Sequence, residues 1–414
     1  MRFDFILGRD IHDRDFIELL AALPDPPAVT RGNILIVTRS IMVAASLVLA
    51  ATCTDEQVGV QAGPHLLAAT FSEEFHIGDN PDERPFAHVV SMAFTTNGHL
   101  VVVDRDNFTV VVFDDDGREV LEWGGQGEGP GEFETEPAEV AVSGDGRVAV
   151  SSFRRVTVFT AEGTIVGSHL SGDLYGGKVA FDGNGDVVAE SAAGGELFAG
   201  RETESQGHLV RLRDDETLWS GRTVDAGSGI AFFIPRPIVA PLREGRIAAT
   251  MSDRYEIDIL DGSSGTVLGR LIRPSAMPRP TPEALKAGLR ESLTGGTDDP
   301  VLAEIYGDVT FGGTLPVVSN VFPGPPGRTV WVRRGIGVGD ELAPAVGDDM
   351  EAWAFHLYDL FDSRSYEYIG TVEVPDGFEP LAGDGERIAG VQRGALDVQS
   401  VRVLHVVIDP PGSG

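Results

Sequence analysis

The stretch from Val90 to Phe133 reads VSMAFTTNGHLVVVDRDNFTVVVFDDDGREVLEWGGQGEGPGEF. Its two β-branched runs, LVVV and VVVF, have the length and composition of strands on a buried, pleated surface. Asn97-Gly98 precedes the first run and Asp116-Gly117 follows the second, and both dipeptides are typical of tight hairpin turns. The pattern predicts a meander of four antiparallel strands. These are Val90–Phe94, Leu100–Val103, Val110–Phe113 and Glu119–Trp123.

The same kind of turn, followed by a short apolar run, occurs six times along the chain. The six turns are Asn97-Gly98, Asp145-Gly146, Asn184-Gly185, Glu244-Gly245, Pro326-Gly327 and Asp384-Gly385. A four-stranded unit cannot bury both of its faces alone, so such units stack on their neighbours. The uneven spacing of the turns implies insertions, the largest between 244 and 326. The sequence therefore predicts an all-β fold, a six-bladed β-propeller of four-stranded antiparallel blades.

The segment from Gly124 to Val150 resembles an NHL repeat, a unit that forms six-bladed propellers. The family pattern has a Gly-rich run ending in Pro-Gly-x-Phe, followed by a proline, and Pro130, Gly131, Phe133 and Pro137 match it. In the preceding unit Asp104 and Asn107 match the family's Asp and Asn, whereas Thr109 stands in place of its Arg. The resemblance covers about two blades. It implies the fold and transfers no chemistry.

The repeats predict one domain over residues 66–409. Leu66 to Ile77 is expected to form the outer strand of the last blade, because Val401 to Ile408 supplies only a third strand there. Pairing the two ends of the chain closes the ring and hides its edges. An insertion at 274–316, between blades four and five, should contain one or two helices. Thr281 and Pro282 suit a helix start, and leucines at 285, 289 and 293 form one apolar stripe. Residues 410–414 are expected to be a tail.

Residues 1–52 are expected to be a leader and signal peptide, and 1–36 to reflect a mis-annotated start. A short apolar run, Ile41 to Ala51, ends just before Cys53, the single cysteine of the chain. This arrangement resembles a bacterial lipoprotein signal, and it predicts lipidation of Cys53, a tether over 53–65, and a protein exported to the periplasm or anchored to the outer membrane. Two alternatives remain open, an uncleaved N-terminal anchor and a chance apolar run in a cytoplasmic protein.

The composition restricts the partners. The chain has 64 acidic and 32 basic residues and a net charge of −32. Nucleic acid is not expected as a partner, because phosphate contacts need a basic surface. Lys178 and Lys286 are the only lysines. Codon bias explains this shortage more simply than function does. We expect a monomer that meets the membrane only through its lipid anchor.

Arginines recur in the loops that join the second and third strands of each blade. The ligand-binding candidates are Arg105, Asn107, Arg154, Arg155, Arg254, Arg333, Arg334 and Arg393, and Arg201 lies in the equivalent loop of blade three. Guanidinium groups bind carboxylate or phosphate bidentately, so a ring of them predicts a site for a small anionic ligand. The alternative is structural pairing with nearby acids, among them Asp104, Asp106 and Asp253. The predicted function is a ligand-binding or protein-binding module, with a small anionic ligand or another envelope protein as partner.

A second hypothesis is a metal-dependent enzyme. Related propellers include lactonase-like hydrolases and lyases that hold a divalent metal, Ca²⁺ or Zn²⁺, in the channel. No residue here can be matched to their ligands, and no catalytic residue can be named. His88, just before the first inner strand, is a weak metal candidate. Asp340, Asp348 and Asp349 are considered for calcium, although the loop lacks an EF-hand pattern. No other cofactor is indicated.

Overall fold

Six antiparallel sheets follow one another along the chain in the computed structural model, which describes residues 58–60, 66–79, 83–175, 177–193, 206–222, 231–294, 309–340, 342, 356–394 and 398–409. Each sheet is one blade. Blade 1 comprises Val89–Phe94, Leu100–Asp104, Thr109–Phe113 and Glu119–Gly124. Blade 2 comprises Pro137–Val142, Val148–Phe159 and Ile165–Tyr175. Blade 3 comprises Val179–Phe181, Val187–Ala193, Gln206–Arg211 and Glu216–Arg222. Blade 4 comprises Pro237–Pro241, Arg246–Met251, Glu256–Asp261 and Val267–Ile272. Blade 5 comprises Val318–Gly324, Thr329–Arg334, Leu357–Asp362 and Tyr368–Glu373. Blade 6 comprises Phe378–Gly383, Arg387–Arg393, Gln399–Ile408 and, from the N-terminal part of the chain, Ala69–Ile77.

The predicted hairpin turns are confirmed. The glycine of each of the six dipeptides has a positive φ, between 35° and 97°, which a residue with a Cβ adopts only at a cost. In blade 2 a single segment, Val148–Phe159, supplies both middle strands, and the chain turns near Arg154, whose φ is 62°. The strands predicted for blade 1 are correct to within one residue at each end.

Ring closure is also confirmed. Ala69–Ile77 pairs antiparallel with Gln399–Ile408 at the outer edge of blade 6, and Val58–Val60 adds a fifth strand outside it. Six apolar clusters fill the spaces between neighbouring blades of the described chain, including the space between blades 6 and 1. Phe71 and Ile77 from the N-terminal strand are 2% and 6% exposed in this core. The core therefore depends on contacts between the two ends of the sequence.

The insertion contains one helix among the described residues, Glu283–Thr294. Leu285 and Leu289 of its predicted apolar stripe are buried, and Leu293 packs beside them against Phe232 and Leu315. The helix begins at Glu283, one residue after Pro282, the residue predicted to occupy its first position. The hydroxyl of Thr281, predicted as a helix cap, instead donates to the carbonyl of Gly312 at 2.7 Å. Short strand pairs flank the helix: Ala231–Phe232 with Thr310–Phe311, and Met277–Pro278 with Val338–Gly339.

Two arginines link neighbouring hairpin turns on one face of the ring, which we call the turn face. Arg147 is paired with Asp145 of its own turn and donates to the carbonyl of Gly185 in blade 3 at 3.0 Å. Arg387 is paired with Asp384 and donates to the carbonyl of Gly98 in blade 1 at 3.0 Å. Hydrogen bonds from Ser143 and Arg147 lower the pKa of Asp145. Both arginines therefore hold adjacent blades in register.

Candidate functional site

The inner strands of the six blades surround a channel, since each contacts the inner strands of its two neighbours. Each inner strand starts at the face opposite the turn face, beside the loops that join second and third strands. We call this the loop face. Polar residues at the start of the inner strands therefore meet at one end of the channel. Charged residues described at this level include Glu139, Lys178 and Glu379 near the starts of inner strands and Arg333 at the end of a second strand, and we call these four the channel girdle.

Glu139 joins three blades. Its carboxylate accepts a hydrogen bond from the Ser91 hydroxyl of blade 1 at 2.7 Å and lies 2.5 Å from the Lys178 ammonium of blade 3. The Glu139 side chain is 16% exposed and that of Lys178 is 35% exposed. An ammonium has three donors. The Lys178 side chain is therefore partly accessible while its ammonium is paired with Glu139.

Arg333 and Glu379 form the second ion pair of the girdle. Nη1 of Arg333, in blade 5, lies 2.7 Å from a Glu379 carboxylate oxygen in blade 6. The Arg333 side chain is 6% exposed, whereas that of Glu379 is 33% exposed. Arg333, a predicted ligand-binding residue, is buried and paired with an acid. The accessible group of this pair is the carboxylate.

Two predicted ligand-binding residues of blade 1 are engaged in local structure. Asp104 is fully buried and accepts hydrogen bonds from the backbone N–H groups of Ala87 and His88 and from the side-chain amide of Asn107 at 2.7 Å. Arg105 lies 3.1 Å from Asp106 and 2.7 Å from Nδ1 of His88. Asn107 therefore fastens a strand end, and Arg105 combines the predicted acid pairing with a contact to His88.

The remaining predicted arginines do not converge on one point. Arg154 lies over the Phe153 ring at 4.9 Å, and Arg155 lies 3.5 Å from Glu134. Arg254 is exposed at the loop-face end of blade 4. Arg393 ends the second strand of blade 6 and is half-buried. These arginines lie on the loop face among acids such as Asp106 and Glu134, and they do not form one site. Arg201 and Cys53 lie outside the described residues.

Arg334 belongs to a buried network between blades 4 and 5. It lies 2.5 Å from Asp340, which also lies 2.8 Å from Arg273. The side chain of Asp340 is 1% exposed and its carboxylate lies between two guanidinium groups. Calcium at Asp340 is therefore not expected, because two cations already occupy the carboxylate. Asp348 and Asp349 lie outside the described residues.

Metal binding has no cluster to support it within the described ranges, where no group of three or more His, Cys, Asp or Glu side chains is placed to hold an ion. His88, the weak metal candidate, contacts Arg105 and lies 3.7 Å from Asp106. A guanidinium beside an imidazole disfavours a second cation there. Within the same ranges no helix is long and apolar enough to cross a membrane.

Three girdle residues, Glu139, Lys178 and Glu379, were not singled out as site candidates from the sequence. Glutamates are common in this acidic chain, so Glu139 and Glu379 carry no signal of their own. Lys178 does: it is one of two lysines against thirty arginines, since the basic residues number 32. Lys286, the other lysine, forms an exposed pair with Glu283 on the helix. The rarity of lysine could have pointed to position 178.

The fold and the girdle together define a six-bladed β-propeller with a charged channel mouth. No family model matches the sequence, so the NHL-repeat resemblance stays a prediction. No curated protein sequence matches it either. The chain is similar in structure to a protein from Bacteroides fragilis described as exported, with 11% identity and a TM-score of 0.47 over 82% of this chain and 95% of that one.

Two further solved structures show the same level of similarity. A DUF4221 family member from Bacteroides vulgatus is 10% identical, with a TM-score of 0.47 over 86% of this chain and 98% of its own. Virginiamycin B lyase from Staphylococcus aureus is 11% identical, with a TM-score of 0.41 over 82% of this chain and 100% of its own. Similarity this distant carries no argument about ligand or activity.

Proposed function

We propose that this protein is an exported propeller that binds a small anionic ligand at the loop-face mouth of its channel, with Lys178 as the principal contact. The observation that supports this most is the pairing of Lys178 with Glu139, in which a scarce lysine is held between blades with a third of its side chain exposed. A compact ammonium on a flexible stem adapts its donors to a carboxylate, sulfate or phosphate.

Three arginines lie on the same face of the ring as Lys178. Arg154, Arg155 and Arg254 are all exposed or part-exposed on the same face. Exposed guanidinium groups on this face would add to the attraction of Lys178 for an anion and raise its rate of association. Glu139 and Glu379 supply acceptors for hydroxyl groups, so a hydroxylated acid such as a sugar acid uses both kinds of group in the girdle.

Replacing Lys178 by glutamine should abolish most anion binding. Gluconate or sulfate, titrated at fixed ionic strength, is expected to raise the melting temperature of the wild-type protein. A hydrogen bond to a charged group contributes about 1.5–3 kcal/mol, so Lys178→Gln should bind at least about tenfold more weakly. Lys286→Gln is the matched control, because it removes the only other lysine, which pairs with Glu283 on the helix and is not part of the girdle.

Equal responses of Lys178→Gln and Lys286→Gln to both anions would contradict the proposed site. Arg333→Ala is a poorer test than Lys178→Gln. Arg333 is buried and its guanidinium pairs with Glu379, so its removal breaks an ion pair between blades and lowers stability whether or not a ligand binds.

Export and anchoring are proposed from the sequence, since Cys53 and the apolar run before it lie outside the described residues. Mass spectrometry of membrane-extracted protein should find a lipidated N-terminus at Cys53. More than one acyl chain is expected, because a single chain anchors only weakly. An intact Met1 on protein recovered without membrane would contradict this proposal, and Cys53→Ser should release the protein from the membrane fraction.

A further inference from the structure

The turn face carries a cavity of about 450 Å³ at the opposite end of the channel from the girdle. Side chains and turns from four blades line it. They are Glu74, Asp115, Arg243, Gly327, Asp384, Gly385, Glu386 and Arg387. Its size lies within the range of small-molecule sites, about 300–1,000 Å³. The lining is almost entirely charged, so any ligand it takes must be charged as well.

Arg243 forms one wall of the cavity. It starts in the turn of blade 4, yet a Cβ on Gly385 of blade 6 would lie 2.4 Å from its Nη2. Its side chain therefore reaches past blade 5, which separates blades 4 and 6. Gly385 also has a φ of 97°, so glycine is required there both for the backbone and for the approach of the guanidinium. The geometry places an exposed cation where three turns meet.

The other cation of the cavity, Arg387, is already engaged. It pairs with Asp384 at 2.6 Å, lies 3.4 Å from Glu74 and donates to the carbonyl of Gly98. Asp115 and Glu386 are exposed carboxylates in the same lining. The groups presented to a ligand are therefore one guanidinium, from Arg243, and two carboxylates from Asp115 and Glu386.

We infer that this cavity binds a small zwitterion, an amino acid or a short peptide, through both of its charged ends. The ligand carboxylate pairs with Arg243, which offers the forked donors that a carboxylate prefers. The ligand ammonium pairs with Asp115 and Glu386. Four carboxylates and two guanidinium groups line the cavity, so a ligand with an anionic group alone would be repelled. The described residues offer no cluster suited to a metal ion instead.

Calorimetric titration of the mature protein with glycylglycine tests the site. Glycylglycine is expected to bind, whereas acetate and methylamine, each carrying one of its charges, should bind at least about tenfold more weakly. Arg243→Gln and the double variant Asp115→Asn with Glu386→Gln should each weaken dipeptide binding by at least about tenfold. All three residues are exposed, so these variants are expected to fold.

Glu162→Gln is the matched control. Glu162 is an exposed acid in the outer hairpin turn of blade 2, on the same face and outside the cavity. The Glu162→Gln variant should leave dipeptide binding unchanged. Lys178→Gln should also leave it unchanged, so the result for this cavity does not depend on whether the girdle binds an anion. The inference is overturned if glycylglycine does not bind, if methylamine binds as tightly as the dipeptide, or if the Arg243 and carboxylate variants bind like the control.

Discussion

Asp359→Asn is expected to lower the free energy of unfolding by about 3–5 kcal/mol, because it leaves a buried guanidinium without its main partner. Asp359 is fully buried in the third strand of blade 5. Its carboxylate lies 2.5 Å from Nη1 of Arg273 and accepts hydrogen bonds from the hydroxyls of Tyr255 and Thr371 at 2.5 and 2.6 Å. The four charged side chains of the network, Arg273, Arg334, Asp340 and Asp359, are between 0 and 3% exposed.

The network is balanced, with two arginines and two aspartates. Removing one carboxylate therefore leaves one excess positive charge in a region of low dielectric constant. Burial also raises the pKa of Tyr255 well above its usual value, so its hydroxyl stays neutral and donates to Asp359. Replacing Arg273 by methionine in the Asp359→Asn background restores neutrality and should recover part of the lost stability.

Chemical denaturation of the variants measures the effect. Asp258→Asn is the control, since Asp258 pairs with the exposed Arg270 at 2.7 Å, such pairs contribute about 0–1 kcal/mol, and asparagine keeps an acceptor for the Trp219 indole. If the free energies of unfolding of Asp359→Asn and of the control differ by less than about 1 kcal/mol, the network does not join blades 4 and 5 as described. A double variant less stable than Asp359→Asn alone would likewise contradict the charge-balance argument.

A chain that begins at Pro85 should aggregate or melt far below the mature protein. It lacks the outer strand of blade 6, so Gln399–Ile408 becomes an unpaired edge. It also removes Phe71 and Ile77 from the core, and burying each such side chain contributes about 1.5–3 kcal/mol. The loss of apolar contacts and of strand pairing act together, so the expected effect is large.

A chain that begins at Leu66 is the control, because it keeps the closing strand and removes only the residues before it. Thermal melting and size-exclusion chromatography compare the two proteins. The Leu66 protein should behave as a folded monomer. If the Pro85 protein melts like the Leu66 protein, the N-terminal strand does not close the ring.

The architecture could be predicted because local turn chemistry repeats. Asn-Gly and Asp-Gly turns before β-branched runs depend only on residues near each other, and each of the six turns adopts the backbone that its glycine allows. The closing strand could be predicted because the last blade lacked a partner for Val401 to Ile408. The helix stripe of Leu285 and Leu289 follows from local periodicity in the same way.

The girdle could not be predicted in full because its pairs join residues that are far apart in sequence. Nothing near Lys178 identifies Glu139 of the previous blade as its partner, and Arg333 meets Glu379 only through the stacking of blades 5 and 6. The arginine pattern drew attention to the loop face but not to Lys178. Arg334 faces the buried network instead, since the loop after its strand folds back and places Asp340 against it.

Anomalous scattering from crystals soaked in selenate, a heavier analogue of sulfate, tests the anion site most directly. The proposed function predicts an anomalous peak at the loop-face mouth of the channel, with a selenate oxygen about 3 Å from Nζ of Lys178, and no such peak in Lys178→Gln. A peak found only at outer surface arginines, or a peak at the mouth that persists unchanged in Lys178→Gln, would contradict it.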